Sequence, residues 1–118
     1  MKILIVDNSS FMRQILKKIL LKEFPTAEIF EAEDGGQGIE RYTAEKPDVM
    51  LLDLIMPIKD GIGVLKEIGK SANVIVVSAV GQEKMIEEAK NLGAKNFIIK
   101  PFDAKNVIET LKGVIGTA

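Results

Sequence analysis

The sequence predicts an α/β fold: a three-layer, doubly wound, parallel five-stranded sheet forming one domain over residues 1–118. Three observations carry this. Apolar runs of strand length alternate five times with segments of helical period, no Pro-, Gly- or Ser-rich linker interrupts them, and four of the five runs are continuously apolar. Continuous rather than alternating hydrophobicity marks strands covered on both faces, hence a parallel sheet between helical layers.

The first strand is Lys2–Val6 (KILIV). After it, Met12, Ile15, Leu16, Ile19, Leu20 and Phe24 recur at spacings of three and four with Arg13, Lys17, Lys18 and Lys22 between them. That spacing predicts a helix over 11–24, capped by Ser9 or Ser10. Residues 27–31 (AEIFE) give the second strand and 38–44 the second helix. The third strand is 49–52 (VMLL), followed by turns at Met56-Pro57 and Asp60-Gly61 and a helix over Gly61–Ile68. A fourth strand over 74–77 (VIVV) leads to a helix over 84–92, with Asn91-Leu92-Gly93 as its stop. The strand at 96–99 (NFII) and a helix over 106–115 complete five βα units, whose right-handed crossovers place all strand C-termini on one edge. Met12, Met50 and Phe24 belong to the core, and the mixed Lys and Glu residues of the last two helices to solvated faces.

Composition narrows the chemistry. The chain has 118 residues, 16 Lys+Arg against 17 Asp+Glu, and 47% hydrophobic residues, which suits a single core without staples. It has no Cys and no His, which excludes disulfides, thiolate nucleophiles, imidazole bases and most transition-metal sites. A net charge of -1 lacks the basic surplus expected of a direct nucleic-acid binder. No apolar run approaches the roughly 20 residues of a membrane span, and the run from Met1 meets Asp7 too soon for a signal peptide, so a cytoplasmic location is expected.

Ligands of open parallel sheets bind beyond the strand C-termini. Here those ends carry Asp7-Asn8-Ser9, Asp53, Ser78 and Lys100-Pro101, while the second strand runs into Glu33 and Asp34 with no evident target. In the order 2-1-3-4-5, which comes from the known patterns of such sheets rather than from these residues, Asp7 and Asp53 stand on neighbouring strands about 5 Å apart. Their repulsion, on the order of 3 kcal/mol, calls for a proton or a cation between them. All-oxygen donors favour a hard ion, Mg²⁺ with Mn²⁺ as the substitute. Lys100 is long enough to span most of the roughly 10 Å from its strand, and Ser78 stands between as a hydroxyl donor. Together they supply phosphoryl transfer, with Asp53 as nucleophile, Lys100 and the metal offsetting charge and Ser78 donating to a phosphoryl oxygen. Taken singly, Asp7-Asn8-Ser9 would also serve as a strand exit and helix cap, and Lys100 as a snorkelling edge residue.

The ordered set Ile5-Val6-Asp7, Leu51-Leu52-Asp53-Leu54-Ile55-Met56-Pro57, Asp60-Gly61, Val77-Ser78-Ala79 and Lys100-Pro101-Phe102 resembles the receiver domain of two-component response regulators over the entire chain. A chain of this extent further resembles the stand-alone chemotaxis regulators of the CheY type. The resemblance implies that Asp53 accepts a phosphoryl group from the phosphohistidine of a sensor kinase (CheA-like). It implies that Asp7, Asn8, Asp53 and the backbone carbonyl of Ile55 hold Mg²⁺, and that Lys100 pairs with the phosphoryl group, with Lys100-Pro101 cis. Ser78 and Phe97 would be the switch pair, acting on a face made by the fourth helix, fifth strand and fifth helix. That face would bind a downstream target such as a flagellar motor switch component or a relay protein. A monomer that hydrolyses its own acyl phosphate slowly, and is otherwise not an enzyme, is expected.

This sequence departs from the family at Asn8, where receivers carry a second acidic residue; the lost charge predicts weaker Mg²⁺ binding and slower phosphorylation. Two other signalling roles are a phosphorelay intermediate and a pseudo-receiver that works without phosphate. A flavodoxin-like electron carrier would use the same sheet edge, but Asp7 would repel its phosphate, and the absence of Trp with only one Tyr leaves little to stack a flavin. Met85, Ile86 and Val107 are candidate target contacts on the output helices, and core burial explains them as readily.

Overall fold

A computed structural model describes residues 1–116. The elements run β1 (Lys2–Val6), α1 (Ser10–Glu23), β2 (Glu28–Ala32), α2 (Gly35–Glu45), β3 (Val49–Asp53), α3 (Gly61–Ile68), β4 (Val74–Ala79), α4 (Glu83–Asn91), β5 (Asn96–Lys100) and α5 (Ala104–Ile115). All neighbouring strands pair in parallel, in the order β2-β1-β3-β4-β5.

The continuous apolar strands divide their side chains between two cores. Leu4, Val6, Met50, Leu52, Val74 and Val76 point one way, under Ile62, Val64 and Leu65 of α3 and Ile86 and Ala89 of α4. Ile3, Ile5, Val49, Leu51, Ile75 and Val77 point the other way, under Leu16 and Leu20 of α1 and Val107 and Leu111 of α5. Burying each such side chain is worth roughly 1.5–3 kcal/mol, so both layers are held firmly. β2 is an edge strand and half-exposed, which is why it carries Glu28 and Glu31 instead of running apolar. Ile86 and Val107, offered above as target contacts, are core residues. They lie at i, i+3 and i+4 spacings from Ala89 and Leu111 and so share the inward face. Met85 is half-buried.

Helix starts were the least legible boundaries. α2 begins three residues earlier than its apolar period suggests, because Asp34 accepts a hydrogen bond from the Gln37 N–H at 2.9 Å and caps it. This gives Asp34 its structural purpose. α5 likewise starts at Ala104, two residues early, because Asp103 caps it through the Asn106 N–H at 2.7 Å. Ser9, not Ser10, caps α1, and Asp60 caps α3. Each such cap is worth about 1 kcal/mol. α4, which follows Ser78, has no side-chain cap.

Candidate functional site

Parallel register brings the polar strand ends together. Val6 pairs with Leu52, so one residue further on Asp7 stands beside Asp53; Asp53 pairs with Val77, and Ser78 and Ala79 pair with Ile99 and Lys100. Lys100 reaches back across the edge: its Nζ lies 3.5 Å from Asp7 Oδ2 and 3.7 Å from Asp53 Oδ2. Of the residues at the strand ends, Asp7, Asp53 and Lys100 therefore meet, while Ser78 stands on the adjoining strand β4. The Lys100-Pro101 peptide is cis, as expected.

Backbone donors fix both carboxylates. Asp7 is buried, its Oδ1 accepting from the Ser9 N–H at 2.8 Å and its own N–H donating to the Ala32 carbonyl at 3.1 Å. Asp53 Oδ1 accepts from the Ile55 N–H at 3.2 Å. The turn that leads away from Asp53 closes through the Gly61 N–H and the Leu54 carbonyl at 2.9 Å, and a Cβ on Gly61 would come within 2.6 Å of the Asp53 carbonyl. Only glycine lets α3 start so close to Asp53.

Burial pushes the Asp53 carboxyl above its ordinary range; Lys100 pulls it back, Asp7's charge pushes it up again, and the Ile55 and Leu54 N–H groups lower it. The folded state thus binds this proton more tightly than the unfolded chain, so stability falls as pH rises from the ordinary carboxylate value of about 3.9 through the raised value, then levels off. Asp53→Asn is expected to have a higher urea midpoint than wild type at pH 7, with the gap closing as pH falls through that window. A gap that does not change with pH would sink the burial argument.

Ser78 is 0% exposed, and its Oγ has no hydrogen-bond partner. A buried hydroxyl without a partner costs about 1–3 kcal/mol, and here it stands one residue past the strand position paired with Asp53. Asn8 is exposed, and no group of three or more His, Cys, Asp or Glu side chains near enough to hold a metal ion exists among the described residues. Two carboxylates, an amide oxygen and a backbone carbonyl fit a hard cation held weakly, and this donor set suits neither zinc nor copper. Phe97 is half-buried; the Lys90 ammonium lies 4.5 Å from its ring centroid, and both line a cavity of about 360 Å³ with Val80, Ile86 and Ile99.

Two features escaped the sequence argument. Arg13 is buried on the sheet-facing side of α1, a position its spacing to Leu16 and Leu20 discloses in hindsight. Apart from Met1, the large exposed apolar side chains of the described residues are Ile55, Ile58 and Val80, on the connections that leave β3 and β4, and Phe11, in the first turn of α1. Ile58 is 89% exposed and has φ +68°, a left-handed conformation that strains a β-branched residue.

No helix of the described residues is long and apolar enough to cross a membrane. The family model of the response regulator receiver domain matches residues 3–112. The chain is 44% identical over 113 residues to the chemotaxis protein CheY of Bacillus subtilis (strain 168), covering 93% of each. It is 39% identical over 114 residues to sporulation initiation phosphotransferase F of the same organism, covering 94% of this chain and 90% of that one. A solved CheY-like receiver domain from Methanospirillum hungatei JF-1 superposes with a TM-score of 0.88 at 26% identity, over 98% of this chain and 93% of the other. With that sheet order and these strand ends, the chain belongs to the response regulator receiver domain family, on its CheY-like side.

Proposed function

We propose that this protein is a stand-alone, phosphorylation-switched regulator acting in the cytoplasm, with Asp53 as the phosphoacceptor. The observation that carries the reading is Lys100 Nζ lying within 4 Å of both carboxylates, with a buried, partnerless serine hydroxyl on the adjoining strand, one residue past the position paired with Asp53. These are the groups a phosphoryl oxygen set would engage.

In the reaction an Asp53 oxygen forms a bond to phosphorus while the bond from phosphorus to the donor's imidazole nitrogen breaks, the electron pair leaving with the imidazole. Burial raises the proton affinity of the Asp53 carboxylate, which favours it as a nucleophile. Lys100 transfers its charge from the carboxylates to a phosphoryl oxygen, and the Ser78 hydroxyl donates to another. Mg²⁺ or Mn²⁺, held by Asp7, Asp53, the Asn8 amide oxygen and the Ile55 carbonyl, would supply charge neutralisation on the phosphoryl oxygens. When Ser78 turns toward the phosphoryl group, the Phe97 ring moves inward from under Lys90. The face formed by α4, β5 and α5 then changes, and a protein target of motility or relay type reads it. Slow hydrolysis of the acyl phosphate resets the switch.

The donor is a protein, and the apolar rim supports this. Ile58 costs the fold twice, through exposure and through about 1–2 kcal/mol of backbone strain, without packing on anything. A partner that covers the rim repays both. Ile58→Asn is expected to raise stability by about 1 kcal/mol, because Asn tolerates the left-handed region, yet to slow transfer from a phosphohistidine kinase domain while leaving transfer from acetyl phosphate unchanged. Equal slowing with both donors would place the defect in the chemistry and defeat the docking role. The overall reading stands or falls on an Asp53 adduct formed with Mg²⁺, set out in the Discussion; a wild type that takes no phosphate under any Mg²⁺ concentration would leave the pseudo-receiver, which Asn8 favours.

A further inference from the structure

Arg13 occupies a position where the helix period asks for an aliphatic residue. With Leu16 and Leu20 it forms the buried face of α1, and it is 8% exposed. A guanidinium there is costly unless every strong donor finds an acceptor. Its Nη1 donates to the Asp7 carbonyl at 2.6 Å, and its Nε donates to Glu31 Oε1 at 2.9 Å. Glu31 lies on the edge strand β2 and also has Lys17 Nζ at 3.8 Å from its Oε2.

The Asp7 carbonyl belongs to the peptide that joins Asp7 to Asn8. With the Asp7 N–H on Ala32, Oδ1 on the Ser9 N–H and the carbonyl on Arg13, Asp7 Oδ2 is left facing Lys100. Fixing that carbonyl fixes the backbone path from Asp7 to Asn8, and with it where the Asn8 side chain starts relative to the Asp7 carboxylate.

We propose that Arg13 is a positioning residue for the phosphoacceptor site: it clamps the Asp7–Asn8 peptide so that both side chains face the cation position, and Glu31 neutralises the guanidinium so that it does not repel that cation. The clamp matters more here than it would beside two acidic residues, because Asn8 contributes no charge and depends on orientation alone. The inference rests on the reading that this site takes a divalent ion.

The test is Mn²⁺ binding by electron paramagnetic resonance on the phosphate-free full chain, beside the Mg²⁺ dependence of acetyl phosphate transfer. Arg13→Ala is expected to weaken Mn²⁺ binding about tenfold, as loss of an outer support to a metal ligand does. The Mg²⁺ concentration for half-maximal transfer should rise by the same factor, with the rate at saturating Mg²⁺ nearly preserved. Arg13→Lys should recover only part of the affinity, since an ammonium lacks the fork that reaches Asp7 and Glu31 together. Glu31→Gln keeps the clamp but frees the positive charge, and should weaken Mn²⁺ about threefold in a salt-dependent way. Unchanged Mn²⁺ affinity in folded Arg13→Ala would overturn the proposal; should that variant not fold, wild-type affinity in both Arg13→Lys and Glu31→Gln would do so. A wild type that binds no Mn²⁺ defeats the metal reading itself, whereas a wild type that binds with an indifferent Arg13→Ala defeats only this inference.

Discussion

Incubation with acetyl phosphate and Mg²⁺ is expected to add a single phosphoryl group to the chain, and Asp53→Asn to abolish the adduct altogether. The effect is all-or-none because Asp53 has no substitute. Asp7 is the other carboxylate at the sheet edge, but its Oδ1 is tied to the Ser9 N–H and it is buried more deeply. Asp53 is the more accessible, sits at the end of β3 in the middle of the sheet, and its carboxyl is pushed above its ordinary range by burial. Intact mass with and without Mg²⁺ reads the result. An adduct that survives in Asp53→Asn would move the acceptor elsewhere and undo the mechanism.

Asn8→Asp is expected to tighten Mg²⁺ binding about tenfold and to speed phosphorylation at limiting Mg²⁺ by a similar factor. A full charge in contact with a cation is worth roughly 1 kcal/mol in water and about 4 kcal/mol at an effective dielectric of 20; the exposure of Asn8 places it toward the lower figure. The same substitution adds a third negative charge beside Asp7 and Asp53, with Lys100 as the cation already bridging them. Without Mg²⁺ the variant should therefore be less stable than wild type, by about 1 kcal/mol, and saturating Mg²⁺ should restore it by mass action. Thermal unfolding across a Mg²⁺ series measures both at once. If the two proteins respond identically, Asn8 is not near the ion.

The fold was legible because its signal is redundant. Residues 2–6, 49–52 and 74–77 read as buried strands from their apolar runs, and the structure shows the reason: successive residues feed two cores, so neither face tolerates polarity. Helix starts were less legible where an Asp cap stands outside the apolar period, as at Asp34 and Asp103. Ile86 and Val107, which the spacing allowed as target contacts or as core and which the structure buries, show the limit of helical spacing: it identifies a face without saying where it points.

Of the candidate site, the sequence by itself determined the parts: Asp7, Asp53, Ser78 and Lys100 stand at strand ends, and parallel strands put those ends on one edge. Tertiary structure decided how they are held. Lys100 meets both carboxylates because β4 and β5 bring its long side chain back over the edge. Ser78 is left without a partner because the surrounding strands seal it from water. Arg13 becomes a support for Asp7 only because β2 delivers Glu31 to the opposite side of its guanidinium. Periodicity and composition report what a residue can bury or ionise, since those are properties of one side chain and its chain neighbours. Which buried charge is balanced, and by what, depends on groups far apart in sequence, and only the packed sheet brings them within a few ångströms.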